Sequence, residues 1–456
     1  MDHFSPSAAC AEFAADLSYD SIPPEALDLI RRDILDWTGC ALAGSRDRAA
    51  VPIQKTAELL GGKAEASVFG NRDKTDLRTA AMENGYFGHI FEMDDVDRES
   101  ISHPATVVMP GAMALGEWQK KTGREVLTAI VAGFEVMLRI GAAITPAHYA
   151  IWHTTSTAGV FGAAAASGRM LGLTNQQMQW ALGNAGTLAC GLWQFNPDGA
   201  MSKFLHAGNA AGNGILVSLM AQNGFSGATH ILEGKQGFFA GYARQSVNFD
   251  LFRDFGRVWR SASVSFKPYP CCRHTHSAID AALSIREQLT RHPGDPIRHL
   301  TVHTYGTALS IAGKTAPATG RDAKFSISYC VASTILRGTP VEASFAAVSD
   351  PAVSGLLSCT DVIDDPSLDA MVPKNWPCRI EAELGSGEIL TAQVKAPKGD
   401  PENRVSWEEC EMKFRTMTLD ILDDAQVKAI VDLAKHFDDI PDFSRENPFL
   451  IANRNL

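Results

Sequence analysis

Eleven residues, Phe266-Lys267-Pro268-Tyr269-Pro270-Cys271-Cys272-Arg273-His274-Thr275-His276, mark the point where this chain changes character. Before them the apolar periodicity is almost entirely helical; after them alternating, strand-like runs appear. Pro268 and Pro270 each fix their own φ and push the preceding residue toward extended backbone, so the segment reads as a stiff extended run. It also gathers two cations, two thiols and two imidazoles, and such a cluster at a domain junction suits a small-molecule site. Adjacent Cys271-Cys272 with His274-x-His276 lacks the usual spacing of a zinc site. Buried thiols and hydrogen-bonded imidazoles of a core are a second reading. The favoured reading is an anion site, in which Lys267, Arg273 and the histidines donate to carboxylates.

Upstream, Leu27, Ile30, Ile34 and Trp37 give an amphipathic helix that opens at Pro24 and stops near Gly44. A further helix should end at Gly61-Gly62, a short strand is expected over Ala66–Gly70, and Thr75 or Asp76 should cap a helix reaching about Phe91. The acidic stretch Glu92–Glu99, with Asp94 and Asp95, leads to Ser102-His103-Pro104. Pro104 suits a first helical position, which places His103 at or beside an N-cap, where backbone N–H groups favour a bound anion. A plain solvated loop is the alternative. His153 precedes the small-sided helix around Ala158–Ala166, as a polar cap or as a catalytic group. Lys203, His206, Ala207, Ala210, Ala211 and Gly214 share one helix face, on which Lys203 either snorkels to solvent or serves a site.

Downstream, a helix from Ser277, a strand over His299–Tyr305, a helix opening at Lys324-Phe325-Ser326, and a hairpin of 379–384 with 389–394 precede a breaker at Pro397–Pro401. The tail from Trp407 is helical again. The expected fold is mainly α: a large all-helical domain, residues 1–265 completed by 399–456, with a smaller α+β lid domain, 266–398, inserted.

The net charge of −11 over 456 residues weighs against nucleic acid or an anionic membrane as partner, but not against a small acidic substrate in a locally cationic pocket. Nine cysteines without framework spacing point to a reducing cytoplasm. No basic-then-apolar leader and no uncharged run of roughly 20 residues stand out, so neither signal peptide nor membrane span is expected. Gly208–Gly214 is glycine-rich but lacks a following Lys-Ser/Thr, so it is neither a P-loop nor a dinucleotide fingerprint.

Five motifs then occur in order: Asp94-Asp95 before His103-Pro104; His153 before the small-sided helix; Lys203 before Gly208-x-Ala-Ala; the Lys267–His276 run; and Ala323-Lys324-Phe325-Ser326 before Tyr329. Together they resemble the MmgE/PrpD family over nearly the whole chain. That family contains 2-methylcitrate dehydratases, cis-aconitate decarboxylases and iminodisuccinate epimerases. The resemblance implies a helical domain with a smaller α+β lid, a homodimer, and no metal or organic cofactor. The family's acidic motif often carries a threonine where this chain has Val96. A histidine stands in the decarboxylases at the place of Cys272, which sets this chain apart from them.

These reactions move a proton at a carbon beside a carboxylate and stabilise the negative charge that develops. Lys203, Lys267 and His103 are the candidate cations; Asp94 or His153 could act as base, and His153, His276 or Tyr329 as acid. Cys272, Arg273 and His274 complete the expected substrate contacts. The leading expectation is a cofactor-free hydro-lyase acting on 2-methylcitrate or a similar tricarboxylic acid. A cis-aconitate decarboxylase, an iminodisuccinate-type epimerase and, from another class, a non-catalytic ligand-binding protein are the alternatives. Lys203→Ala should cost turnover but leave folding almost unchanged.

Overall fold

Side-chain caps set most helix starts. The Asp76 carboxylate accepts the N–H groups of Arg78 and Thr79, both at 3.1 Å, and opens the Leu77–Gly88 helix. Thr122 and Glu125 form a reciprocal capping box at the head of Gly123–Ile144. Proline opens Pro24–Arg46, and Gly61, at φ 67°, ends Val51–Leu60. The computed structural model describes residues 4–346 and 348–455. It is mainly α, with one four-stranded sheet among the described residues.

Two sequence expectations change. The Leu77–Gly88 helix stops at Gly88, short of Phe91. The stretch Ala66–Gly70 is not a strand; a single bridge joins Ala66 to Thr75. Its apolar residues are there for packing: the Phe69 ring lies 5.8 Å from that of Trp37 and 4.3 Å from that of Phe449.

The chain divides into two compact units, Met1–Val264 with Ser406–Leu456, and Ser265–Val405. In the first, the Leu77–Gly88 and Ser202–Gln222 helices run together. A Cβ on Gly208 would lie 2.3 Å from the Met82 carbonyl oxygen, so the two backbones touch and only glycine fits. The Gly123–Ile144 helix is long and apolar enough to cross a membrane by length and composition. Here it is almost wholly buried in the unit, and it carries Arg139, which pairs with Glu135 and, at 2.9 Å, with Asp254. The C-terminal helix Trp407–Thr418 returns to pack on Pro24–Arg46, where Lys413 meets Asp36 at 2.6 Å.

The second unit is built on strands β1 (Ile297–Thr304), β2 (Thr360–Asp364), β3 (Cys378–Leu384) and β4 (Ile389–Val394), in the order β2-β1-β3-β4. β1 runs parallel to β2 and antiparallel to β3, and β3 and β4 form the expected hairpin. Leu300 and Val302 of β1 are fully buried beside Ala382 and Ile380, their cross-strand partners. The helices His276–Leu289 and Ile327–Arg337 pack against each other, and the first also lies on β3 and β4.

Candidate functional site

The loop from His89 to His103 is the centre of the first unit's chemistry. Its acidic residues do not face solvent: Glu92, Asp94, Asp95 and Asp97 are all buried. Each has a partner that explains its burial. Glu92 receives the Lys203 ammonium on both carboxylate oxygens at 2.5 Å. Asp94 Oδ2 lies 2.6 Å from His89 Nδ1 and 3.5 Å from His103 Nδ1. Asp95 accepts the Ala105 N–H at the first turn of the Ala105–Gln119 helix. The anion at that helix start is therefore the protein's own carboxylate. Asp97 accepts the Ser100 N–H at 2.8 Å and pairs through its backbone with Ser102. Glu92 (φ 61°) and Ile101 (φ 47°) both hold left-handed backbone, which is strained for a branched side chain such as isoleucine.

His103 is held from both sides. Its backbone N–H donates to the Thr155 hydroxyl at 3.2 Å, and its Nδ1–H donates to the Asp95 carbonyl at 2.5 Å. His153 immediately precedes the short helix Thr154–Thr157 but makes no side-chain cap, so the polar-cap reading does not describe it. Its Nδ1 instead lies 3.3 Å from His206 Nδ1, one nitrogen donating to the other. Burial, reinforced by the charges of Lys203, His89, His206 and His103, holds His153 well below the usual imidazole range. Burial, with His89 and Lys203, takes His206 down to about 4. Both are therefore neutral near pH 7. Trp193 and Phe195 form an aromatic wall against His153, with ring centroids at 5.1 and 6.1 Å, and Phe195 also meets His206 at 5.3 Å.

Lys203 is 3% exposed, so it does not snorkel. It lies one turn before His206 on the Ser202–Gln222 helix, and the Gly208 backbone contact fixes that helix against the Leu77–Gly88 helix leading into His89 and Glu92. The structure thus brings Asp94, His103, His153 and Lys203 together in one buried cluster. It adds three groups that the sequence reading did not place in the site: Glu92 as the lysine's partner, His206 beside His153, and His89, whose ring lies 4.8 Å from that of His103 and stacks at 5.7 Å on that of His153. His89, His103 and His153 each offer a ligand atom within 4.8 Å of the others, as do Asp94, Asp95 and His103, close enough to surround a cation. Hydrogen bonding already employs Asp94 on His89, Asp95 on Ala105 and His103 Nδ1 on the Asp95 carbonyl.

Behind this loop lies a second carboxylate group. Asp33 and Asp36, on Pro24–Arg46, are buried with Asp95 nearby. Burial first, then like charge, pushes Asp33 and Asp95 well above the usual carboxylate range. Crowding of buried carboxyl groups is what disfavours their charged forms here. Lys413 balances Asp36 and donates to the Met93 carbonyl at 2.7 Å.

The remaining candidates lie in the second unit. Lys267, Cys272, Arg273, His274 and His276 are all buried. Arg273 donates to Asp400 at 2.5 Å, to the Lys398 carbonyl at 2.9 Å and to His276 Nδ1 at 2.9 Å. Because a guanidinium only donates, His276 Nδ1 is an acceptor, and its Nε2–H turns to the Cys271 carbonyl at 3.3 Å. His274 Nδ1 meets the Tyr305 hydroxyl at 2.6 Å, and its ring stacks at 4.2 Å on Trp376. Burial, then Arg273 and Lys267, brings His274 down to about 3. The Cys272 N–H donates to the Lys324 carbonyl at 2.9 Å. Burial raises the Cys271 thiol, but hydrogen bonds with Cys330 and Thr275 and the charges of Lys267 and Lys324 outweigh it and leave it below its ordinary value. Tyr329 shares a core with Tyr269 and Cys271 of this run, beside Cys330 and Phe345, and its hydroxyl donates to the Ser344 carbonyl at 2.7 Å.

The MmgE/PrpD N-terminal domain model matches residues 8–250, and the MmgE/PrpD C-terminal domain model matches residues 269–438. The chain belongs to the MmgE/PrpD family. Its similar relatives in this family include proteins named cis-aconitate decarboxylase from Aspergillus terreus, 28% identical over 96% of this chain and 94% of the relative, and from Homo sapiens, 27% identical over 91% and 88%. One from Mus musculus is 27% identical over 91% of this chain and 87% of its own. The two domain models cover both units, and the relatives found are enzymes acting on a tricarboxylate. None of these three is named a dehydratase, so the hydro-lyase expectation finds less support than its decarboxylase alternative.

Proposed function

We propose that this chain is a lyase for a small tricarboxylic acid, with decarboxylation of cis-aconitate as its reaction. The observation that carries this choice is the similarity, over more than nine-tenths of the chain, to proteins named for that activity. The site chemistry agrees with it. Loss of carbon dioxide leaves an electron pair that must be spread into the remaining unsaturated carboxylate, and a buried cation such as Lys203 stabilises that charge best where water is excluded. The imidazoles of His103 and His153 can hydrogen-bond the carboxylates that stay and move a proton at carbon. No residue of this set needs a bound cofactor for those roles. The cytoplasm and a homodimer remain part of the reading, on the cysteine pattern and the family resemblance.

Dehydration of 2-methylcitrate is the second reading, favoured by Cys272 standing where the decarboxylases carry histidine. Carbon-13 NMR of the full-length protein with cis-aconitate, 2-methylcitrate and iminodisuccinate in separate tubes decides between them. The proposal expects carbon dioxide release from cis-aconitate. Water loss from 2-methylcitrate without turnover of cis-aconitate would overturn it.

A further inference from the structure

His89 has no role in the readings above, yet its geometry is that of a working histidine. It is fully buried at the C-terminal end of the Leu77–Gly88 helix. Asp94 grips Nδ1 at 2.6 Å, which fixes the ring and leaves Nε2, on the opposite edge, as the atom that can act. That Nε2 is buried and has no hydrogen-bond partner among the described residues. A buried imidazole nitrogen without a partner costs about 1–3 kcal/mol, so its retention calls for a ligand that satisfies it. The ring is packed between His103 and His153, so the ligand that reaches them reaches His89.

Its environment also differs from that of its neighbours. His153 and His206 face each other and the lysine, and both are neutral. Around His89 stand Asp94 on Nδ1, the rings of His103 and His153, and, further off, His206. When the ring is protonated, Nδ1–H donates to Asp94 and Nε2–H is left for a substrate.

We propose that His89 is a catalytic residue that touches the substrate through Nε2 and delivers the proton that replaces the departing carboxylate, with Asp94 as its positioning residue. The step rests on the decarboxylase reading. The bond from carbon to the leaving carboxylate breaks, and carbon dioxide departs. Its electron pair passes into the neighbouring double bond and carboxylate. The Nε2–H bond then breaks, a C–H bond forms, and the neutral imidazole regains its proton from solvent.

The test uses the full-length protein and its His89→Gln, Asp94→Asn and double variants, with His89→Asn in reserve should the glutamine variant misfold. Turnover of cis-aconitate should fall about 100-fold or more in kcat in each single variant, with KM changed less than threefold. The double variant should be no worse than the more damaged single one, because the two residues act as a unit. Nitrogen-15 histidine NMR, with citrate as the probe, should show the His89 Nε2 signal moving on binding. A kcat within threefold of the parent in His89→Gln overturns the proposal. So does a His89 signal that stays still while citrate binds, even if activity is lost, since a purely structural histidine would behave that way. A parent protein inactive on cis-aconitate sinks the decarboxylase reading and the proton step with it. The citrate experiment then still decides whether His89 is a substrate contact.

Discussion

Replacing Lys203 with methionine keeps most of the side-chain stem and removes the charge. In the structure the ammonium meets both oxygens of Glu92 at 2.5 Å, and Glu92 is itself 6% exposed. Taking one partner from a buried ion pair costs about 3–5 kcal/mol, because the other charge loses its counter-ion in a poor solvent. For a protein of this size that lowers the melting temperature by roughly 3–5 °C. From sequence alone the loss of Lys203 should leave folding almost unchanged; the Glu92 pair reverses that expectation. Turnover should fall by about 3–4 kcal/mol of transition-state stabilisation, or roughly a hundredfold to a thousandfold. The two effects separate in the double variant Lys203→Met with Glu92→Gln, which leaves neither charge buried. Its melting temperature should return to within about 1 °C of the parent, while its kcat on cis-aconitate stays low. Thermal melts by circular dichroism and NMR turnover read the two quantities independently. If stability and activity recover together, Lys203 is a structural cation and its place in the site falls. If the single variant melts like the parent, the reasoning from the buried pair is wrong.

Four buried histidines should each weaken the fold as pH falls below about 6.5: His148 and His206 are lowered to about 4, His274 to about 3, and His153 well below its usual value, all chiefly by burial. The unfolded chain takes up protons there that the folded chain refuses, at about 1.4 kcal/mol per pH unit for each group. The raised Asp33, Asp95, Asp97, Asp280 and Glu83, the last to about 7, work in the opposite direction, so one histidine is read by difference: the melting-temperature gap between the parent and His148→Gln should shrink from pH 7 to pH 5, and a constant gap would contradict the reasoning. Asp33→Asn removes one of several crowded buried carboxyl groups, so its melting temperature at pH 7 should match or exceed the parent's in the same assay. Gly208→Ala drives a Cβ to 2.3 Å from the Met82 oxygen and should cost about 1–3 kcal/mol, with a drop in kcat as Lys203 moves; calorimetry beside turnover checks both.

The elements with strong local chemistry were legible in the sequence. Asp76 caps the helix it was expected to cap, Gly61 ends another, and the β3–β4 hairpin lies where alternation placed it. β2 was not legible, because Thr360–Asp364 is a largely exposed edge strand with no buried alternate face to write into its pattern. Ala66–Gly70 misled for the opposite reason: its apolar residues answer to the rings around Phe69, not to a sheet. At the site, the histidines and the lysine stood out as polar groups among small residues. Glu92 and His89 did not: one read as part of an acidic loop, the other as the end of an apolar helix. Charge pairing across 111 residues of chain, as between Glu92 and Lys203, leaves no local trace. The spacing of His89 five residues before Asp94 was the available signal, since it brings a helix-end imidazole back to a loop carboxylate.

The surroundings of His153 divide sharply into what can be redesigned and what cannot. Lys203 rides on a helix whose position is set by main chain against main chain at Gly208, so no side-chain exchange there can enlarge the space near the ammonium without moving it. Trp193 and Phe195 touch the same imidazole from a connecting segment and carry no charge. Varying those two aromatics alters the shape offered to a substrate while the electrostatics of Lys203, Glu92 and the histidines stay constant. A combinatorial library confined to positions 193 and 195 would thus vary the shape beside His153 alone, with the charges of Lys203 and Glu92 held in place.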